Sequence, residues 1–283
     1  GYHYSDSAIY GFSHTHLSGT GIADYCDVLL MPLTGEVKWK NKEYASPFSH
    51  KNEKASPGYY EVLLDKFNIR AQLSTSLRSG MHQYTFDASA VEGKVLLDLQ
   101  HRDEVLGSSL EMVNEYEVKG SRISKSWAKE QHLFFYIRFE KPIKRYRMAL
   151  DDQPVNGLNK FEGKNIKSYF SFDLGEEKTV RLRIGISGVS TENAKQNLTH
   201  LTMIELEIVS RHRFMDRQIV DNVIVVFGQE AGRLRVGPVI RDRADRVEVL
   251  LALFERSRRI VIGDRIALLE FGHGDDPHRA IGH

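Results

Sequence analysis

Ile9-Tyr10-Gly11-Phe12-Ser13-His14-Thr15-His16-Leu17-Ser18-Gly19-Thr20-Gly21 opens as a strand and closes as a turn. Ile9, Gly11, Ser13 and Thr15 alternate with Tyr10, Phe12, His14 and His16, a period of two that sends the two sets to opposite faces of an extended chain. Tyr10, Phe12, His14 and His16 are therefore expected on one face. Gly19 and Gly21 then permit positive φ and let backbone approach a ligand or another segment closely. A strand delivering two imidazoles into a hydroxyl-rich turn suits a polar ligand.

The flanking chain is also written for strands. Asp27–Leu33 reads as a buried strand stopped by Pro32 and Gly35, and the lysine-rich run Glu36–Lys42, with Trp39 in it, reads as a loop. A meander follows: Tyr59–Asp65, Ile69–Leu77, His82–Phe86, Lys94–Leu99, Leu110–Val118, Arg122–Trp127, Leu133–Phe139, Ile143–Leu150, Lys167–Leu174 and Thr179–Ile186, with Gly120 expected to mark a bend. Many short strands at regular spacing predict a mainly β fold, an antiparallel β-sandwich. Ser190, with Glu192 and Asn193 behind it, reads as the capped start of a helix over 190–198.

Two blocks carry a resemblance. Gly1-Tyr2-His3-Tyr4-Ser5-Asp6-Ser7, running on through Gly-Phe-Ser-His-Thr-His-Leu-Ser-Gly-Thr-Gly, and then Phe48-Ser49-His50-Lys51-Asn52-Glu53-Lys54-Ala55-Ser56-Pro57-Gly58-Tyr59-Tyr60, resemble successive signatures of glycoside hydrolase family 92, the calcium-dependent exo-α-mannosidases. The resemblance spans about residues 1–198 and implies the family's galactose-mutarotase-like N-terminal sandwich (1–189), followed by the start of a linker helix (190–198). It further implies an inverting mannosidase acting on α-mannosides of N-glycans or mannans. Ca2+ would bind the sugar hydroxyls in the full-length enzyme rather than in this chain alone. The catalytic acid and base are expected in a helical domain beyond Leu198, so no catalytic residue is assigned here and the chain alone is expected to be inactive. The chain reads as truncated upstream. By resemblance the address is the periplasm or cell surface of a bacterium.

Composition bounds the alternatives. A formal net charge of +1 across 283 residues gives no long-range attraction to nucleic acid or to an acidic membrane. No apolar run reaches a membrane-spanning length. Cys26 is the single cysteine, so neither an intrachain disulfide nor a cysteine-rich zinc site can form. The last stretch is different in kind: residues 1–198 hold 17 Lys, 9 Arg, 12 Tyr and 2 Trp, whereas 199–283 hold no Lys, 13 Arg, no Tyr and no Trp. Such a switch is what a fusion or a shifted reading frame at about Leu198 would produce. The alternative is a mixed α/β tail with strands at Val223–Phe227 and Ile260–Ile262 and a helix at Ala244–Arg256, or a poorly ordered one. Its arginines are interleaved with Asp and Glu, which cancels the field that phosphate binding needs.

His14, Thr15, His16, Ser18, Gly19, His50 and Glu53 are the candidate substrate-binding or domain-interface residues. The resemblance implies that they wall a mannose pocket at the contact with the helical domain; equally, the histidines can simply hold two loops together. His14 and His16, two apart on one face, have the spacing of a metal pair, yet no third ligand is specified although Asp6, Asp24 and Asp27 are near, and no metal is assigned. His50, Lys51, Glu53 and Lys54 otherwise read as a solvated loop or an interdomain salt-bridge set. Trp39 and Trp127 can stack on sugar, core packing being the expected fate of Trp127. A non-catalytic, lectin-like sandwich that binds a mannose-containing glycan is the alternative function, and a purely structural or interaction domain the third.

Overall fold

A computed structural model of the protein describes residues 4–16, 25–155 and 159–198, with the backbone of 260–262 and 265–267. The chain divides into two units, Gly1–Gly228 and Gln229–His283. The first holds β1 (Ala8–Ile9), β2 (Leu29–Leu33), helix α1 (Asn41–Tyr44), β3 (Ser46–Pro47), β4 (Glu53–Ser56), β5 (Tyr59–Leu64), β6 (Ile69–Thr75), β7 (Ser79–Thr85), β8 (Glu92–Asp98), β9 (Glu104–Met112), β10 (Glu117–Lys125), β11 (Gln131–Phe139), β12 (Arg145–Leu150), β13 (Gln153–Val155), β14 (Lys160–Gly163), β15 (Ile166–Asp173), β16 (Thr179–Ser187) and helix α2 (Thr191–Asn197). Of the second, the description covers one hairpin, β17 (Ile260–Ile262) with β18 (Arg265–Ala267). The expected strand at Ile260–Ile262 is there; those at Val223–Phe227 and the helix at Ala244–Arg256 lie outside the described residues.

Two antiparallel sheets make the sandwich. One has nine strands in the order β14-β9-β10-β11-β16-β7-β6-β5-β4, the other five in the order β13-β12-β15-β8-β2. Alternation decides which side chains meet between them: along β10, Val118, Gly120, Arg122 and Ser124 are the buried set. Val62, Leu64, Phe135, Ile137, Phe139 and Ile184 of the larger sheet share one core with Val95, Leu97, Phe170 and Phe172 of the smaller. The Phe139 ring sits 5.5 Å from Phe170 and 4.9 Å from Phe172, joining β11 to β15. Pro32 is tolerated inside β2 because β2 is an edge strand with β8 as its neighbour.

Gly120 does not bend the chain. It lies in mid-β10, opposite Phe135 on one side and Leu110 on the other. A Cβ there would overlap the Ser109 carbonyl oxygen and come within 2.6 Å of the Phe135 ring, so the glycine makes room for an aromatic rather than a turn. The reversal falls earlier, at Asn114, whose side-chain oxygen accepts from the Tyr116 N–H at 2.8 Å. The expected Leu110–Val118 strand is therefore split between the end of β9 and the start of β10.

Helix α2 begins as expected. Ser190 accepts from the Asn193 N–H at 3.1 Å, and Ala194 and Leu198 pack on Tyr136 of β11. Its backbone lies directly on Gly185 of β16, where a Cβ would overlap the Ala194 carbonyl.

Candidate functional site

The opening stretch is less regular than its alternation predicts. β1 ends at Ile9, Gly11 takes φ +143°, and beyond it the chain makes isolated bridges, Phe12 to Leu30 and His16 to Tyr25. Phe12 and His14 share a face as expected, both rings lying against His82 at 6.3 and 4.9 Å, while Tyr10 and His16 at the ends of the run are exposed. Ser18 and Gly19 lie outside the described residues.

His14 turns both nitrogens inward. Nδ1 lies 2.6 Å from the Val28 carbonyl and Nε2 lies 2.9 Å from Nε2 of His82, whose Nδ1 is 2.6 Å from the Tyr84 hydroxyl. With both rings neutral, one proton arrangement satisfies this row. The Val28 oxygen can only accept, so His14 Nδ1 carries hydrogen; its bare Nε2 accepts from His82 Nε2–H; the bare Nδ1 of His82 accepts from Tyr84 O–H. Burial favours neutrality, pulling His14 down to about 4 and His82 well below its usual range, and pushing Tyr84 up.

Beside it is a buried ion pair. Asp27 and Arg122 are fully buried and bonded to each other, and the guanidinium also donates to the carbonyls of Leu99 (2.8 Å), His101 (2.9 Å) and Asp103 (3.0 Å). The other Asp27 oxygen accepts from Thr15 Oγ1 at 2.7 Å and Gln131 Nε2 at 2.6 Å, and Thr15 Oγ1 accepts in return from the Asp27 N–H at 2.9 Å. Around this carboxylate Tyr25, Cys26 and Val28 hold left-handed φ of 68°, 54° and 54°. For a β-branched valine that conformation is costly and persists only where the surroundings impose it. The Asp27 network is what imposes it, and the Val28 carbonyl thereby meets His14.

The second block has its own histidine. Nδ1 of His50 lies 2.6 Å from Glu53 Oε2 and Nε2 lies 2.7 Å from the Tyr4 carbonyl, with the Tyr4 ring stacked on the imidazole at 4.1 Å. Both partners are acceptors, so both nitrogens carry hydrogen and His50 is an imidazolium; the hydrogen bond to Glu53 raises its pKa. Glu53 corrects the expectation of a solvated cluster: its side chain is 8% exposed and takes a second bond, 2.6 Å, from the Tyr60 hydroxyl.

Phe12 joins the two blocks, its ring 6.4 Å from Tyr60, 6.3 Å from His82 and 6.4 Å from Tyr84. His14, Thr15, His50 and Glu53 are thus brought into one polar–aromatic cluster. His16 is not, and it forms no metal pair with His14. Among the described residues no three His, Cys, Asp or Glu side chains are placed to hold a metal ion. Calcium needs several oxygen ligands, and the cluster's carboxylates, Asp27 and Glu53, are already bonded by the protein, so Ca2+ does not fit here. His82, Tyr84, Tyr60, Arg122 and Gln131 were not foreseen; a His-x-Tyr alternation inside an apolar strand was the available signal for the first two.

Trp127 also departs from expectation. It is 61% exposed in the β10–β11 connection rather than in the core. Leu77 at 72% and Val189 at 71% are exposed at the same end of the sheet: Arg78 O accepts from Ile186 N, and Phe134 pairs with Ser187. Gln131, which holds Asp27, is there too.

Residues 1–187 match the model for the glycosyl hydrolase family 92 N-terminal domain. The chain belongs to glycoside hydrolase family 92. Among solved structures this family 92 chain is similar to the α-mannosidase BT3965 of Bacteroides thetaiotaomicron, at 33% identity and a TM-score of 0.68 over 74% of this chain and 31% of that one. It is also similar to the family 92 hydrolase ccman5, at 26% identity and 0.66 over 75% and 30%, and to the inverting mannosidase BT2199 of B. thetaiotaomicron VPI-5482, at 26% and 0.65 over 74% and 29%. It thus spans about a third of their length. No curated protein sequence matches it. No helix among the described residues is long and apolar enough to cross a membrane.

Proposed function

We propose that this chain is the sandwich portion of an inverting exo-α-mannosidase acting on α-mannosides of N-glycans or mannans, and that its His14 end docks on a helical catalytic domain and completes the sugar pocket. The carrying observation is the grouping of Leu77, Trp127 and Val189, each more than half exposed, at the sheet end where Gln131 and Asp27 hold the first motif. Exposed apolar groups beside a rigid polar cluster are what a domain contact uses. The likeness to BT3965, also solved with mannoimidazole, supports the substrate class.

Inversion needs two carboxyls about 6.5–9.5 Å apart, one as acid and one to activate water. In this reading both come from the helical domain, and Ca2+ enters with it. The role of this chain is positioning: His14 and Thr15 are held at fixed height by His82 and Asp27, and a fixed wall lowers the entropy cost of binding sugar.

Light scattering tests the docking face. The chain should self-associate through it, and Leu77→Glu/Trp127→Glu/Val189→Glu should be monomeric with an unchanged melting temperature. A monomeric wild type, or release of mannose by the chain alone, overturns the reading.

A further inference from the structure

The outer face of the five-stranded sheet carries a groove of about 580 Å³, lined by Trp39, Tyr169, Arg145, Arg147, Glu92 and Lys94 among others. It shares no residue with the His14 and His50 cluster. Its volume lies in the range of small-ligand sites, roughly 300–1,000 Å³.

Strand β15 contributes Tyr169 to it and Lys167 to its support. Lys167, Tyr169 and Ser171 point to the same side of the sheet. Lys167 is buried, 1% exposed, and its ammonium donates to the Trp39 carbonyl at 2.8 Å, to Asn41 Oδ1 at 3.0 Å and to Asp152 Oδ1 at 2.6 Å. A buried ammonium bonded to three oxygens costs too much to strip, so it fixes the segment carrying Trp39 onto the sheet. Tyr169 then packs against the Trp39 indole, ring centroids 5.8 Å apart and tilted by 38°. Both rings stay partly exposed.

The hydrogen-bonding groups of the groove are unevenly used. Glu92 is held by Lys94 at 2.8 Å and by Arg145; burial works to raise its pKa, but these bonds win and bring it down to about 2. The Arg147 guanidinium and the Tyr169 hydroxyl, by contrast, have no partner among the described residues. Ser171 lies opposite Arg145 on one neighbouring strand and Lys94 on the other, hence on the same face, and its hydroxyl is buried with no hydrogen-bond partner.

We infer that this groove is a carbohydrate site in its own right, which takes a short stretch of a mannose-containing glycan. Two adjoining aromatic rings offer a platform for the C–H face of a pyranose, and Arg147 and Tyr169 offer hydrogen bonds to its hydroxyls. Such a site tethers a polymeric substrate and raises its local concentration at the pocket. The choice of mannoside rests on the mannosidase reading; the existence of the site does not.

With Trp127→Phe as background, Trp39 is the only indole left, and its emission reports the groove. Titration with soluble yeast mannan should give a saturable change, and Tyr169→Ala and Arg147→Ala should each weaken it at least fivefold with unchanged melting temperature. Titration with cellulose oligosaccharides in the same format separates the two readings: a response to these and not to mannan keeps the groove and overturns the mannoside assignment. No response to either probe, or binding that survives both substitutions, overturns the site.

Discussion

His14 and His82 meet nitrogen to nitrogen, Nε2 to Nε2 at 2.9 Å, from positions 68 residues apart. Each needs the other to be neutral and correctly protonated. The pair therefore ties the first motif to β7 through a bond that acid can break.

The sign follows from linkage. Unfolded, each histidine titrates near 6.5; folded, burial depresses both, His14 to about 4. Between those values the unfolded chain binds more protons, so stability is intact above pH 6.5 and falls as pH drops toward 4, by about 1.4 kcal/mol per unit for each histidine. Urea denaturation at pH 7.5 and 5 should show the loss. His82→Phe should flatten the slope by about half, and an unchanged slope would contradict the assignment.

His50 responds in the opposite direction. Its folded pKa is raised by Glu53, so its contribution is complete below the ordinary histidine value and is lost as pH rises through the folded one. An NMR titration should place His50 above 6.5, and Glu53→Gln should return it to the ordinary range while releasing the Tyr4 ring.

Breaking the Asp27–Arg122 pair should be severe. Arg122→Met leaves a buried carboxylate with two neutral donors, and Asp27→Asn leaves a buried guanidinium uncompensated; each should cost about 3–5 kcal/mol. Asp27→Asn/Arg122→Met together should cost less than the sum, because neither charge is then stranded. Additive losses by urea denaturation would show that the two act independently.

Gly120→Ala should destabilise by at least ~2 kcal/mol, since the methyl must displace either the β9 backbone or the Phe135 ring. Gly107→Ala is the control: nothing lies within 4 Å of its Cβ position, and its effect should be within about 0.5 kcal/mol. Equal losses at both would place the cost in strand flexibility rather than in packing.

What could be read from the chain was whatever is local. Thr179–Ser187 declares itself by alternation, Tyr59–Leu64 and Gln131–Phe139 by runs of aromatic and branched residues, and the Ser190 cap by its neighbour at Asn193. Strands β13 and β14 are short and polar and carry no such period. Gly120 misled because a glycine that admits an aromatic looks the same as one that permits a turn; only Phe135, fifteen residues on, distinguishes them. Trp127 misled because a strand-like run continued into a connection. His14 and His50 were legible as chemistry, but their partners were not: neither His82 nor Arg122 is near them in the chain, and hydrogen-bond partners leave no mark on local pattern.

The Asp27 network also sets an order of assembly. Its members are Thr15, Asp27, Arg122 and Gln131, with separations of 95 residues to the guanidinium and 104 to the amide. Contacts so distant close late, after the loops between them have been ordered. The backbone of Tyr25 to Val28 has no reason to adopt its left-handed turn before then. During synthesis the first motif leaves the ribosome before the residues that hold it and waits for more than a hundred to follow, so its geometry certifies that β10 and the start of β11 have arrived.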